Sequence, residues 1–281
     1  KLMEKPIERM LSDKSLDMPF CLCWANENWS RRWDGSETSI LMAQDYGDKQ
    51  GWQDHFEYLL NFFNDERYLK DEQGRPILLI YKPQLITTLD EMLSCWRDLA
   101  QKAGLPGICF VCQYPQYGSE IEDKFDHYVE FEPAATTGIP GSNFLKAWEI
   151  SPKYAVEVGL TKILQVTRIR SYKKYSYKDT VAASIKRPIR NSKEWVGAFP
   201  GWDNTPRRGE NAILYDGSTP ALFEKYVEAQ LKKSKAAGQE GVLFINAWNE
   251  WAEGAHLEPD EKYKMKYLEA LKNAREKANN E

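Results

Sequence analysis

Two glutamates three residues apart, Glu250 and Glu253, stand in the stretch Trp248-Asn249-Glu250-Trp251-Ala252-Glu253-Gly254. Carboxylates flanked by indoles are what a sugar-processing site needs. One group moves a proton, another supports developing positive charge, and Trp faces stack on sugar rings. On an extended strand end, residues i and i+3 point to opposite sides. In the tight turn that Gly254 permits, both can face one sugar. A Trp-Asn-Glu-Trp run exposed without a contact would be costly.

Two further stretches have the same polar-aromatic texture. Trp24, Asn26, Glu27, Trp29, Arg31, Arg32, Trp33 and Asp34 crowd one; Trp202, Asp203, Asn204, Arg207 and Arg208 crowd the other. Glu27 follows Asn26 as Glu250 follows Asn249. Two such pairs on different strands could supply the acid and nucleophile of an ordinary retaining enzyme, with carboxyls roughly 5 Å apart. Trp29, Trp33, Trp202 and Trp251 are stacking platforms or rim packing. The four arginines bind an anionic sugar or phosphate, or pair with Asp34 and Asp203. His127 and His256 read as structural. No spacing of carboxylates or histidines suggests a metal and no glycine-rich phosphate loop is present, so no cofactor is expected. Asp-x-Asp, common in metal-dependent glycosyltransferases, is absent from the sequence.

These loops must be positioned by strands. Pro19–Trp24, Ile77–Tyr81, Gly107–Cys112, Phe125–Phe131, Trp195–Phe199 and Gly241–Ala247 read as six, most separated by helices. Helices are expected over Pro6–Leu11 and Gln50–Asn64, and from a Thr88/Glu91 capping box to Gly104. Others run from Thr219 to Gly238 and from Pro259 onward, with Tyr263 and Tyr267 on the last one's stripe. Residues 134–194 show no clean period, which predicts a long functional loop. The basic cluster Arg168–Lys178 is expected in a loop over the site. Alternating strands and helices mean a parallel sheet. Because polar loops follow nearly every strand, a barrel fits better than an open sheet. One mouth is then expected to gather Trp24–Asp34, Tyr81, Gln113, Glu132, Trp202–Arg208 and Trp248–Glu253.

The 281 residues carry a net charge of −4, 13% aromatics and ten Trp. No basic patch of nucleic-acid size stands out, and no apolar run is long enough to span a membrane. Of the five cysteines, Cys21, Cys23, Cys109 and Cys112 lie in apolar strand-like runs and read as buried free thiols rather than a metal site. With no secretory leader in view, a cytoplasmic compartment is expected.

Taken in order, Trp24–Trp29, Arg31–Gly35, Gly201–Arg208 and Asn249–Gly254 resemble the WbsX-type family, which is similar to glycoside hydrolase family 99, the endo-α-mannosidases and endo-α-mannanases. The resemblance covers nearly the whole chain. It implies one (β/α)8 TIM-type barrel domain over residues 1–281, lacking the N-terminal βα units that such proteins carry before the point where Lys1 stands. A preceding segment or a partner chain would complete it. The resemblance implies retaining cleavage of α-linked, mannose-like bonds in a glycan or polysaccharide, with Glu250 and Glu253 catalytic. Glu250 draws a proton from the sugar 2-hydroxyl, which attacks the anomeric carbon, and Glu253 protonates the leaving oxygen. Glu27, Tyr81 and the loop tryptophans, amides and arginines named above then bind substrate. Alternatives are a WbsX-type glycosyltransferase of surface-polysaccharide assembly and an inactive carbohydrate-binding module.

Overall fold

A computed structural model describes residues 3–31, 36–113, 121, 123–137, 148, 152–167, 172–209, 212–239 and 241–280. The chain divides into two compact units, one formed by residues 1–28, 43–113 and 117–127, the other by 29–42, 114–116 and 128–281. The expected Arg32, Trp33 and Asp34 lie outside the described residues, as does the side chain of Arg31.

The first unit holds α1 (Glu4–Ser12) and β1 (Leu22–Trp24). The hairpin β2 (Trp29–Arg31) and β3 (Ser36–Met42) falls to the second unit. The first unit continues with α2 (Lys49–Phe63), β4 (Ile77–Ile80), α3 (Leu89–Lys102) and β5 (Cys109–Gln113). Strands β1, β4 and β5 run parallel, with Leu22 opposite Leu78 and Leu78 opposite Phe110. The runs Ile77-Leu78-Leu79-Ile80 and Cys109-Phe110-Val111-Cys112 are apolar throughout because a sheet covered on both faces has no solvent side. Helix α2 starts where Asp48 accepts the Gly51 N–H at 3.0 Å, and it buries Phe56, Leu59 and Phe63 on one stripe. Trp96 of α3 is fully buried and stacks on Phe110, its indole N–H donating to Trp52 O at 2.9 Å. The Thr88/Glu91 capping box does not form: Thr88 is the N-cap residue but its side chain caps nothing. Its ψ of 33° departs from the extended backbone that aims a hydroxyl at the first turn.

Arg67 ties α1 down. Its guanidinium donates to Met10 O, Leu11 O, Asp13 O and Leu16 O at 2.7–3.2 Å and grips Asp65 through Nε at 2.9 Å. Two of these carbonyls belong to the last turn of α1, which its own hydrogen bonding leaves unsatisfied.

The second unit holds β6 (His127–Val129) from its second residue on, α4 (Ala134–Thr137), α5 (Pro152–Val166), β7 (Lys173–Ser176), α6 (Tyr177–Lys186), β8 (Glu194–Ala198), β9 (Trp202–Asp203), α7 (Thr205–Arg208), β10 (Ile213–Asp216), α8 (Pro220–Ala236), β11 (Leu243–Ile245), β12 (Asn249–Glu250), β13 (Ala255–His256) and α9 (Lys266–Asn279). Strands β6, β8 and β11 are parallel, and β7, β10 and β9 form a second small sheet. The core gathers Tyr177, Phe199, Tyr215, Phe223, Tyr226 and Tyr267. Thr219 caps α8 by accepting the Leu222 N–H, with Pro220 at the first position, as the sequence predicts.

Residues 134–194 are not one long loop. Helices α5 and α6 and strand β7 occupy much of the stretch, and Lys173–Lys178 of the basic cluster lies in β7 and α6. Residues 168–171 fall outside the described set. The last helix begins at Lys266, not near Pro259. Asp260 instead folds back on the Tyr263 N–H, and Lys264 takes φ 53°. Of the cysteines expected to be buried, Cys109 and Cys112 are, while Cys21 is half-buried and Cys23 exposed. Cys21 and Cys23 belong to or adjoin β1, which pairs on one side only among the described residues.

Glu132, expected at a mouth, is fully buried. Its carboxylate accepts from Thr136 N, Thr136 Oγ1, Ser184 Oγ and Arg187 Nη2 at 2.7–3.2 Å. Arg187 also pairs with Glu130 at 2.6 Å, and Glu130 Oε2 accepts the Gly197 N–H at 3.1 Å. Burial pushes Glu132 above the usual carboxylate range, opposed by Arg187 and reinforced by Glu130. Past the end of β11, the Asn246 side chain also joins this region, its Nδ2 donating to Glu132 O at 2.8 Å.

Candidate functional site

The stretch after β11 closes on itself. Asn249 pairs with His256 and Glu250 with Ala255, antiparallel, and a single 3-10 turn, Trp251–Glu253, joins the two short strands. Gly254 closes the turn at φ 61°, ψ 22°, the left-handed conformation that glycine adopts without penalty. A Cβ there would also lie 3.0 Å from Asp203 N. Backbone therefore comes close at the junction of two of the three motif stretches.

Residues of both stretches meet in this unit. The short helix α7 packs against the Trp251–Glu253 turn, and Arg207 Nη1 donates to Glu253 Oε1 at 3.2 Å. Their side chains are 33% and 17% exposed, so solvent screens the pair and it contributes about 0–1 kcal/mol. Asp203 instead accepts from Thr205 N and Oγ1 at 2.9 and 2.6 Å. Asn204 is buried, its Oδ1 accepting the Ile213 N–H at 2.7 Å, which fixes the start of α7. Glu250 is half-buried; Trp248 and Trp251 are 52% and 51% exposed. Trp251 stacks on His256 at 3.8 Å and donates to Glu258 at 2.6 Å. One indole face is thus covered. Trp202 packs half-buried against the core.

Trp24, Asn26, Glu27 and Tyr81 belong to the first unit. Asn26 is fully buried. Its Nδ2 donates to Lys82 O at 2.8 Å and its Oδ1 accepts Lys82 N–H at 2.7 Å. Lys82 also pairs with Glu27 and sits 5.0 Å over the Tyr81 ring. Trp24 packs edge-on against Tyr46 and His55. Trp29 is 48% exposed on β2, in the other unit.

Sequence reasoning missed a cavity of about 370 Å³ in the second unit, lined by Trp202, Asp203, Tyr215, Asp216, His256 and Asp260, among others. The signal was present. Tyr215-Asp216-Gly217-Ser218 runs from strand β10 to a capped helix, the same strand-to-polar-loop transition that marked the other stretches.

Comparison with known proteins places this chain in a family. The model of the family described as glycosyltransferase WbsX matches residues 1–271. The chain belongs to that family, a family of carbohydrate-active enzymes. It is 31% identical over 279 residues to uncharacterized protein WxcX of Xanthomonas campestris pv. campestris, covering 97% of this chain and 37% of that protein. The chain therefore spans little over a third of the curated relatives it matches. Among solved structures, a glycoside hydrolase-like protein aligns at TM-score 0.53 and 13% identity, covering 83% of this chain and 62% of its own. That likeness is one of fold, mixed α/β. The GH99 endo-α-mannosidase of Bacteroides thetaiotaomicron aligns at 0.46 and 16% identity, covering 84% and 67%.

Proposed function

We propose that the chain cleaves α-linked, mannose-like glycosidic bonds with retention, and that the complete protein is a (β/α)8 barrel. The observation that carries the reading is the closed turn holding Glu250 and Glu253, with two half-exposed indoles alongside. Glu250 takes the proton of the sugar 2-hydroxyl. That oxygen bonds to the anomeric carbon as the glycosidic C–O bond breaks, and Glu253 delivers its proton to the leaving oxygen. Water then opens the strained ring, giving its proton to Glu253 while Glu250 returns the first proton to O2. The Arg207 pair is weak enough to exchange partners when substrate arrives. Trp248 and Trp251 offer the stacking surface, and the remaining loop residues bind hydroxyls.

A second reading, sugar transfer during surface-polysaccharide assembly, is favoured by the family description and by Arg207, whose planar fork suits a diphosphate. The test incubates the protein with α-mannan fragments in one arm and nucleotide sugars with acceptor in another, reading products by NMR. A first-formed α-anomer, lost about 10²–10⁴-fold in Glu253→Gln and in Glu250→Gln, supports cleavage. An inverted anomer rules out the 2-hydroxyl route, and product in the donor arm alone establishes transfer.

A further inference from the structure

Helix α5 packs onto its own unit through small residues. Ala155 is buried against Ala183 of α6, with Val158 packed beside them. Thr161 is buried too, its hydroxyl donating to Lys174 O of β7 at 2.9 Å. These three stand at i, i+3 and i+6, on one side of the helix.

The opposite side is apolar as well. Val156, Leu160 and Ile163 recur at i, i+4 and i+7, with Val166 one turn on, and the four are between 54% and 79% exposed. A surface helix ordinarily turns charge outward, and one that is apolar all round is ordinarily covered all round. A line of large aliphatic side chains in water costs free energy that a partner recovers.

Charge says which partner. Helix α5, strand β7 and helix α6 touch one another. Together they carry Lys153, Lys162, Lys173, Lys174, Lys178 and Lys186 against Glu157 and Asp179, six lysines to two acids, a net +4 in a chain of net −4. Lys174 is engaged with Asp216 at 2.6 Å, whereas Lys162, Lys178 and Lys186 are exposed. Lys178, Ala182 and Lys186 follow one another at four-residue steps along the exposed side of α6. On α5, Lys162 neighbours Val166 at the border of the apolar stripe.

A symmetric contact with a second copy through α5 would set two positive surfaces against each other. A nucleic acid would meet the lysines and leave the aliphatic stripe in water. An anionic bilayer takes both: its headgroups attract the lysines, and the boundary of its acyl chains takes Val156, Leu160, Ile163 and Val166. With 15 residues α5 is about 22 Å long, short of a hydrocarbon core of roughly 30 Å, so it would lie along the surface rather than through it.

We propose that α5 is a membrane-docking helix that seats the protein on a bilayer surface rich in anionic phospholipid. The inference does not depend on the roles given to Glu250 and Glu253.

The test is flotation of the full-length protein with vesicles of phosphatidylcholine, alone or mixed with phosphatidylglycerol. Wild type is expected to float with the mixed vesicles at low salt, to be released at high salt, and to stay behind with the neutral ones. Each lysine near an anionic surface is worth about fivefold in affinity, so Lys178→Ala/Lys186→Ala should bind roughly twentyfold to thirtyfold more weakly. Leu160→Glu/Ile163→Glu acts at exposed positions and adds charge of the lipid's own sign. It should lose flotation while keeping the circular dichroism of wild type. The proposal is overturned if wild type ignores the mixed vesicles, as it would were α5 covered by another segment, or if either double variant floats like wild type. The lysine variant carries this test even if the glutamate variant misfolds. A wild-type dimer in sedimentation velocity that Leu160→Glu/Ile163→Glu abolishes, without vesicle binding, would overturn it in favour of self-association. Binding of polyuridylate without vesicle binding would overturn it in favour of nucleic acid. Cleavage of a soluble glycan by a variant that no longer floats would uphold the reading of Glu250 and Glu253 separately.

Discussion

Replacing Arg187 by methionine tests the buried network directly. Arg187 faces Glu130 and Glu132 at 2.6 and 3.0 Å, and both carboxylates are about 0% exposed at the side chain. Methionine fills much of the same volume but strands two buried acids. Removing one partner of a buried pair costs about 3–5 kcal/mol, because the remaining charge is unsolvated. At roughly 2–4 °C per kcal/mol for a chain of this size, the melting midpoint should fall by roughly 6–20 °C near neutral pH. The sign with pH follows from Glu132. Burial already raises its pKa in the wild type, opposed by Arg187. A carboxylate raised in the folded state contributes stability below its unfolded pKa and loses it as pH rises through the folded one. Without Arg187 the pKa rises further, so the deficit should be largest at neutral pH and shrink as acid protonates Glu132. Adding Glu132→Gln removes one stranded charge and should recover part of the loss. Differential scanning calorimetry from about pH 5 to about pH 8 reads all three. A variant melting within about 2 °C of wild type at neutral pH, or one with a pH-independent deficit, would refute the reasoning.

Asp65 is held well below the usual carboxylate range by hydrogen bonds from Arg67 and then Lys14. A depressed carboxylate contributes stability above its unfolded pKa and loses it as pH falls, so Asp65→Asn should flatten the acid limb of the stability curve, measured by urea unfolding from about pH 6 down to about pH 3; an unchanged limb would count against the pairing. Gly254→Ala forces a left-handed alanine whose Cβ meets Asp203 N at 3.0 Å. It should lower stability by about 1–3 kcal/mol and cut turnover without abolishing folding; a fully active, equally stable variant would show that the turn is not held as described.

Much of the fold was legible in the sequence where hydrophobic pattern and caps agree. The six principal strands were found because Ile77–Ile80 or Cys109–Cys112 can be little else. Thr219-Pro220 and Gly238 bracket a helix by backbone chemistry alone. In helix α5, Val156, Leu160 and Ile163 recur at i, i+4 and i+7 yet are exposed, while Ala155 and Thr161 are buried, so the apolar stripe in the sequence is not the face that packs. Helix α6 escaped because it buries Thr180, Ala183 and Ser184, residues whose burial hydropathy does not announce. In the candidate site, the sequence pointed to Glu250, Glu253 and Arg207 but not to which acid the arginine meets. The strand end offered Asp203 as a partner, yet Thr205 two residues on occupies that carboxylate. Long-range pairing of this kind depends on how loops fold back, and no local pattern carries it. Glu132 was misplaced for the same reason: its partners Ser184 and Arg187 are more than fifty residues away.

The turn between Asn249 and His256 has one more consequence. Its two ends are pinned to each other by backbone pairing, and its middle is a single helical turn closed by glycine. The geometry of the two acids is therefore counted in residues rather than written in side chains. Swapping Ala252 for another small residue leaves the ladder intact, whereas inserting or deleting one residue between Glu250 and Ala255 shifts the register or breaks the ladder. Substitution and length change are unequal perturbations here: away from Gly254 the loop tolerates drift in composition, and it forbids drift in length.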